Sequence, residues 1–527
     1  MKNDGNAQKH IAAGMGIILA VIFIIACNAT EPSGETRVVE LRSSIEPAEP
    51  PPTLTSPDTP APATTAVAQV NRSVVATLTQ LPPTATPNST AAPSVSPPSP
   101  VQVTETTLNL PTYPFKDFLV EQIDPVYNMP AYYFNRAEYD AAAPQPTPID
   151  YTGVVLENPY LRLTFLPELG GRLYSAYLKS TGQEIFYHNP VVKPSRYGVL
   201  QPYEANWWLA TGGMEWAYPT QEHGYRFGVP WDYEVAQTDS GATITLSDIA
   251  PDRVGLTVKV TLPANKAFFI VEPTVVNNGL ETVPIQLWTN AALTLGSASM
   301  SPDTQFIMPG QAITVHSRGE AGWSVPGERQ PASWPQVGDT DLSHYNEWAN
   351  YLGFFVPNQQ ASFFGAYNPD TQMGLVRLPP AGSGSYKLFA FGRDFPDRSY
   401  TDDNSQYFEI WGGANAGFWP EDDLPVAAGD TLGWQETWWP LAQLGGLTWA
   451  TGRVAIHLAA TGETHTLTAL VSQPTTGTLE VMAGDAMLLS EPFTAEPAAP
   501  KQWTIPAAEV PVTIQFKDEG GNTLLAY

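Results

Sequence analysis

Between Gly153 and Leu166 the chain reads Gly-Val-Val-Leu-Glu-Asn-Pro-Tyr-Leu-Arg-Leu-Thr-Phe-Leu. In extended conformation Leu161, Leu163 and Phe165 share one face, with Arg162 and Thr164 on the other. The same alternation groups Ala242, Ile244 and Leu246 after the Asp239-Ser240-Gly241 turn, and it returns over residues 254–262. Phe268 to Val276, Gln286 to Ala291 and Leu352 to Val356 carry further strand signatures. No amphipathic stretch of helical period runs for about 15 residues. Asn-Gly, Asn-Pro, Pro-Gly and glycine-rich turns join the segments. Many strands without intervening helices predict an all-β fold, built as a large antiparallel sandwich. After Gly445-Gly446 the pattern restarts. Short strands near 453–458, 464–472, 477–482, 487–491, 502–505 and 512–516 predict a small immunoglobulin-like β-sandwich, which braces or presents its neighbour.

Upstream the pattern is of another kind. Residues 11–26 are apolar, broken only by Gly14 and Gly16, and they end Ile24-Ile25-Ala26-Cys27. A run of about 15 residues is short for a bilayer span of ~20 but suits the apolar part of a secretory signal. The sole cysteine closes it. This end resembles a bacterial lipobox, with isoleucine in place of the usual leucine. The resemblance implies cleavage before Cys27 and lipidation of its thiol, so that the mature protein is exported and membrane-anchored on the extracytoplasmic side, at a bacterial cell surface. The other reading is an uncleaved membrane anchor with Cys27 buried. From Asn28 to Leu108 there is no Trp, Tyr or Phe, and Pro, Thr and Ser dominate. Such a segment buries too little apolar surface to offset its ordering entropy. It reads as a disordered stalk that could reach on the order of 250 Å at ~3.1 Å per residue. The expected domains are therefore 1–27 (signal and lipobox), 28–108 (stalk), 109–447 (large β domain) and 448–527 (small β-sandwich).

Charge narrows the partners. The 527 residues include 25 basic and 52 acidic ones, a net charge of −27. That excludes a nucleic-acid binder, which needs a basic face, and favours neutral sugars over phosphorylated ligands. One cysteine excludes an internal disulfide and a multi-thiolate zinc site. Proline, at 52 residues, is about twice its usual ~5% share. Much of that excess belongs to the stalk.

Candidate chemistry gathers in two stretches expected to be loops rather than plain strands. The first is Trp207-Trp208-Leu209-Ala210-Thr211-Gly212-Gly213-Met214-Glu215-Trp216, continuing to Glu222-His223-Gly224. The second is Tyr407-Phe408-Glu409-Ile410-Trp411-Gly412-Gly413. Aromatic faces stack on the C–H face of a sugar ring, carboxylates bind its hydroxyls, and glycine lets backbone approach. Trp207, Trp208, Trp216 and Trp411 are the candidate stacking surfaces. Arg172 and Lys387 are candidate contacts to substrate hydroxyls or a carboxylate, or else partners of a neighbouring acid. Glu436 reads as a structural strand residue. Asp402-Asp403 and Glu421-Asp422-Asp423 offer oxygen ligands suited to calcium, but neither follows the EF-hand loop, and no metal ligand set is assigned. His188, His316 and His344 lack metal-ligand spacing.

Asn158-Pro159-Tyr160-Leu161-Arg162-Leu163, followed by Pro167-Glu168-Leu169-Gly170-Gly171-Arg172-Leu173, resembles the opening hairpin of the galactose-mutarotase-like supersandwich. Later segments resemble one branch of it, a domain of unknown function often fused to tetratricopeptide repeats. They are Gly212, Gly213, Glu215 and Trp216 with His223 and Gly224; the region from Trp348 to Phe355, a looser match; Lys387, Phe389 and Gly392; Phe408, Glu409 and Gly413; and Gly429, Trp434, Glu436 and Trp438. The resemblance covers about residues 110–447. It implies a β-supersandwich and, by order of motifs, His223 as general acid on a sugar's ring oxygen and Glu409 as general base on its anomeric hydroxyl. The alternative set pairs Glu215 with Glu409, as two carboxylates do in glycosidases. Three functions fit: an epimerase-like or glycan-cleaving enzyme using Glu215, His223 and Glu409, a non-catalytic glycan-binding lipoprotein, or a structural or adhesion lipoprotein.

Overall fold

The computed structural model describes residues 100–195, 207–320, 322–380, 382, 384–392, 400–508 and 510–527. Cys27, the apolar run before it and most of the expected stalk lie outside these residues. No helix among the described residues is long and apolar enough to cross a membrane.

The larger of two main sheets is built chiefly from β1 (Gln102–Thr112), β2 (Thr147–Glu157), β3 (Leu161–Leu166), β4 (Arg172–Leu178), β5 (His188–Pro194), β6 (Leu209–Gly212), β7 (Met214–Ala217), β8 (Trp288–Leu293), β9 (Ala312–Arg318), β10 (Leu352–Pro357), β11 (Ser385–Ala390) and β12 (Phe408–Gly413). Their order across the sheet is β9-β10-β11-β12-β8-β7-β4-β3-β2-β1-β5-β6. Pairing is antiparallel except where β1 meets β5 at Thr112 and Val192. The second sheet runs 232–238, 241–248, 254–263, 269–277, 436–442, 373–378, 364–368 and 305–307, with 431–433 added to 269–277.

The two sheets bury a common core. Leu161, Leu163, Phe165, Met214, Trp216 and Ile410 of the larger sheet meet Ile244, Leu246, Val258, Val271, Leu375 and Trp438 of the second. Alternation makes this work: each inward apolar residue leaves its neighbour facing out. One charged pair is sealed into this core. Arg377 Nη2 lies 2.5 Å from Glu436 Oε2, and both side chains are fully buried. Glu436 also accepts hydrogen bonds from the indoles of Trp434 and Trp438 and from Thr289 of β8. It ties the two sheets together, in keeping with its structural reading.

Three details differ from the sequence-based expectation. First, the folded chain begins before residue 109. β1 is eleven residues long and pairs with β2 from Gln102 opposite Glu157 to Thr112 opposite Thr147. Its Val101-to-Thr107 run lacks aromatics, yet its β-branched residues favour extended pairing. Secondly, residues 408–413 form a strand inside the larger sheet rather than a loop. Their glycines serve close packing: a Cβ on Gly413 would stand 2.3 Å from the Trp288 ring, and one on Gly412 2.3 Å from Arg377 Nη2. Thirdly, 209–217 is two short strands hinged at Gly212 and Gly213, whose φ values of 92° and 74° suit glycine.

The C-terminal residues form a sandwich of two four-stranded sheets, 449–450, 454–461, 464–471 and 501–506 against 475–483, 486–495, 512–518 and 523–526. Ile456, Leu467, Leu479, Phe493, Ile514 and Phe516 fill it. It covers the outer face of the second sheet, where Ala455 and Leu470 join one apolar cluster with Val376, Trp439 and Leu441. The amide of Ala267 donates to the carbonyl of Ser472 at 2.9 Å across this contact.

Candidate functional site

The register of the larger sheet assembles the site. Glu215 of β7 is paired with Asn290 of β8, Asn290 with Trp411 of β12, Trp411 with Lys387 of β11, and Lys387 with Phe355 of β10. Residues in one such row point to the same face. Here that is the face away from the inter-sheet core. Glu409, two residues before Trp411, shares it. Glu215 and Glu409, 194 positions apart in the chain, thus become neighbours across the three adjacent strands β7, β8 and β12.

Glu215 is 3% exposed, and both its oxygens are occupied. Oε2 meets Arg172 Nη2 at 2.8 Å. Oε1 meets His223 Nδ1 at 2.5 Å and accepts from Asn290 Nδ2 at 3.2 Å. Burial alone would raise its pKa, but the charges of His223 and Arg172, with the hydrogen bonds from His223 and Asn290, outweigh burial and bring it down to about 2. The His223 pKa moves oppositely. Burial lowers it, but the charge and hydrogen bond of Glu215, helped by Glu409 and Glu222, carry it above its ordinary value. Both shifts favour the same ion pair, a carboxylate beside an imidazolium. Arg172 Nη1 is held by the carbonyl of Gly212 at 2.8 Å, so the glycine hinge fixes the arginine that fixes Glu215.

The imidazole of His223 lies flat on Trp208, with centroids 4.4 Å apart and planes 4° from parallel. Its Nε2 has no hydrogen-bond partner among the described residues. Glu409, 6% exposed, accepts from Trp411 Nε1 at 2.8 Å through Oε2. Its pKa is raised, chiefly by burial and in part by Glu215, against the pull of Lys387 and His223. Arg172, Trp208, Glu215, Asn290, Tyr407 and Glu409 line one pocket. Arg172 Nε, Thr211 Oγ1 and Asn290 Oδ1 are buried in its wall without hydrogen-bond partners. Unsatisfied polar atoms at a pocket wall are donors and acceptors available to a ligand.

Residues 124–423, more than half of the chain, match the domain of unknown function DUF5107. The chain belongs to the DUF5107 family. A TPR-domain containing protein from Parabacteroides distasonis shares the fold at 22% identity and a TM-score of 0.52, over 65% of this chain and 56% of that one. The present chain thus spans little more than half of that protein's length. A galactose mutarotase-like protein from Lactobacillus casei aligns at 13% identity and a TM-score of 0.36, over 55% of this chain and 99% of that one. An aldose epimerase homologue from C. elegans aligns at 13% and 0.37, over 55% and 98%. What this DUF5107 member adds is its own side-chain geometry.

That geometry sorts the expected site residues. Glu215, His223, Glu409, Arg172 and Trp208 converge. Trp411 and Lys387 stand beside them, with the Lys387 ammonium 4.8 Å from the Trp411 ring centroid. Trp216 does not belong to the site. It alternates with Glu215, so its ring enters the inter-sheet core, where Nε1 donates to the carbonyl of Gly171 at 2.8 Å. Trp207 is also displaced. It packs with Phe115, Phe134 and Phe227, in the apolar cluster that also contains Trp208 but away from the pocket lining, and donates to the carbonyl of Tyr132. Trp411 serves Glu409 and is 1% exposed, so it offers no open stacking face. The acids considered for calcium bind protein groups: Asp402 pairs with Lys193, Glu421 with Arg329, and Asp423 accepts from Gln286. Among the described residues no group of three or more His, Cys, Asp or Glu is set to hold a metal.

Asn290 and Tyr407 line the pocket without having been singled out for it. Asn290 was legible in principle as a lone amide in the apolar run Leu287-Trp288-Thr289-Asn290-Ala291. Buried amides in strands need partners.

Proposed function

We propose that the large domain binds a sugar ring in this pocket and interconverts its anomers, with His223 as general acid and Glu409 as general base. One observation carries the reading: Glu215 and Trp208, which hold His223 by a hydrogen bond and a ring stack, line the same pocket as Glu409, a carboxyl of raised pKa. His223 Nε2–H donates to the ring oxygen while Glu409 accepts the proton of the anomeric hydroxyl. The bond between C1 and the ring oxygen breaks, giving an open-chain aldehyde. Rotation about C1–C2 presents the other carbonyl face, and reversal of both proton transfers closes the other anomer. Unpartnered Arg172, Thr211 and Asn290 atoms supply contacts to the remaining hydroxyls.

This geometry favours the His223–Glu409 pair over two carboxylates working together. Both oxygens of Glu215 are occupied, and its depressed pKa makes it a poor proton donor. Its role is to hold His223 charged and oriented.

Glu409→Gln should abolish anomer exchange, followed by polarimetry on freshly dissolved sugars, while the melting temperature stays close to that of the native protein. Unimpaired exchange would sink the assignment. Sugar binding without exchange in the native protein would instead support the non-catalytic glycan-binding reading.

The N-terminal sequence supports the second part of the proposal, that the domain is exported and tethered through lipid on Cys27. A multi-chain anchor there gives stable attachment where one acyl chain would be marginal. Metabolic labelling with a clickable fatty acid should mark the native protein and not Cys27→Ala; equal labelling of both would overturn it.

A further inference from the structure

Tyr407 lines the pocket and stands two residues before Glu409, so the alternation of the chain brings both side chains to one face. Its ring is fixed. Tyr187 stacks on it, with centroids 4.9 Å apart and planes 19° from parallel, and Phe391 meets it edge-on at 4.7 Å. The two stacked tyrosines differ at their hydroxyls. That of Tyr187 donates to Asn189 Oδ1 at 3.0 Å and lies 3.4 Å from Asp403 Oδ1. That of Tyr407 has no hydrogen-bond partner among the described residues, and its oxygen keeps contact with solvent although the residue as a whole is 2% exposed. A largely buried phenol ordinarily finds a partner, and one left open at a pocket wall is available to a ligand.

Glu409 is arranged in a complementary way. Trp411 Nε1 occupies its Oε2 at 2.8 Å. Oε1 has no partner among the described residues and is likewise open to solvent. A donor and an acceptor thus face one pocket from neighbouring positions without bonding to each other. An ether or carbonyl oxygen would satisfy only the first and an ammonium only the second. A hydroxyl satisfies both, accepting from one and donating to the other. Burial, and then the charge of Glu409, push the Tyr407 pKa well above its ordinary value, so the phenol keeps its proton.

From this pairing we infer that Tyr407 is a third catalytic residue, whose hydroxyl donates to the anomeric oxygen as Glu409 takes that oxygen's proton. The inference rests on the anomer-exchange reading above. As the proton passes to Glu409 Oε1, the electron pair it leaves forms the C1=O double bond. The bond from C1 to the ring oxygen breaks, and the ring oxygen takes the proton of His223 Nε2. Tyr407 keeps its own proton throughout. Its hydrogen bond is strongest while negative charge gathers on the anomeric oxygen, and in the reverse direction it polarises the aldehyde for attack. Such a donor lowers the barrier more than it tightens substrate binding.

Tyr407→Phe tests it in the full chain, with exchange of freshly dissolved α-glucose and α-galactose followed by polarimetry. kcat should fall about a hundredfold, the loss expected when one such donor is removed, with KM within about threefold of the native value. A kcat within about threefold of native overturns the inference whatever happens to KM, and leaves His223 and Glu409 in their roles. Should the variant fail to fold, calorimetry on the native chain decides. Glucose should bind about tenfold more tightly than 1,5-anhydroglucitol, which lacks the anomeric oxygen, and equal affinity overturns the inference. A native chain that exchanges neither sugar overturns the anomer-exchange reading and this inference with it.

Discussion

Trp208 lies flat on His223, ring centroids 4.4 Å apart and planes 4° from parallel. An indole face against an imidazolium favours the charged form of the histidine by about 0.5–1 kcal/mol or more when desolvated. The stack therefore supports the same protonation state that Glu215 imposes from the ring's edge.

Trp208→Leu should keep the Glu215–His223 bond and lose this support. The pKa of His223 should fall. A general acid works below its pKa, so the alkaline limb of the anomer-exchange pH profile should shift to lower pH. An unmoved limb with reduced turnover would mean that Trp208 only contacts the ligand.

The ion pair also predicts how stability follows pH. The Glu215 pKa is depressed from 4.5 to about 2, so its stabilisation is complete above 4.5 and is lost as pH falls towards 2. The His223 pKa is raised above 6.5, so its stabilisation is present below 6.5 and is lost as pH rises through the folded value. Together they contribute most between 4.5 and 6.5. Glu215→Gln should cost about 3 kcal/mol near pH 6 and flatten the acid limb of a plot of unfolding free energy against pH. An acid limb as steep as that of the native protein would argue against an ionised Glu215.

The buried Arg377–Glu436 pair makes a different prediction. Arg377→Met strands a carboxylate between the sheets and should cost about 3–5 kcal/mol. Arg377→Met with Glu436→Gln removes the charge yet keeps an oxygen acceptor for the indoles of Trp434 and Trp438. The double variant should regain at least half of the loss, read from the denaturant midpoint. A double variant no more stable than the single one would show that the pair contributes more than charge neutrality.

Much of the fold was legible because strand alternation is a local signal. Leu161, Leu163 and Phe165, or Ile244 and Leu246, announce their inward face within a few residues, and all are buried in the core. The residues of the proposed acid–base set, His223 and Glu409, are picked out through motif order, and the fold places both near Glu215. What the sequence could not give was the side of the strand on which each tryptophan falls. Trp207 and Trp208 are adjacent and Trp216 follows Glu215 directly, so neighbours in the chain diverge in space. Glycines at 412 and 413 signalled a loop when they marked close packing inside a sheet.

The pocket occupies the outer face of one sheet, and the C-terminal sandwich covers the outer face of the other. Two layers of strands, each spaced ≈ 10 Å from its neighbour in stacked sheets, separate them. The sandwich is therefore unsuited to act as a lid or a second ligand-gripping surface for this pocket. A chain cut after Gly446 would expose Val376, Trp439 and Leu441 to water, so truncation should yield an aggregating protein rather than a minimal active one.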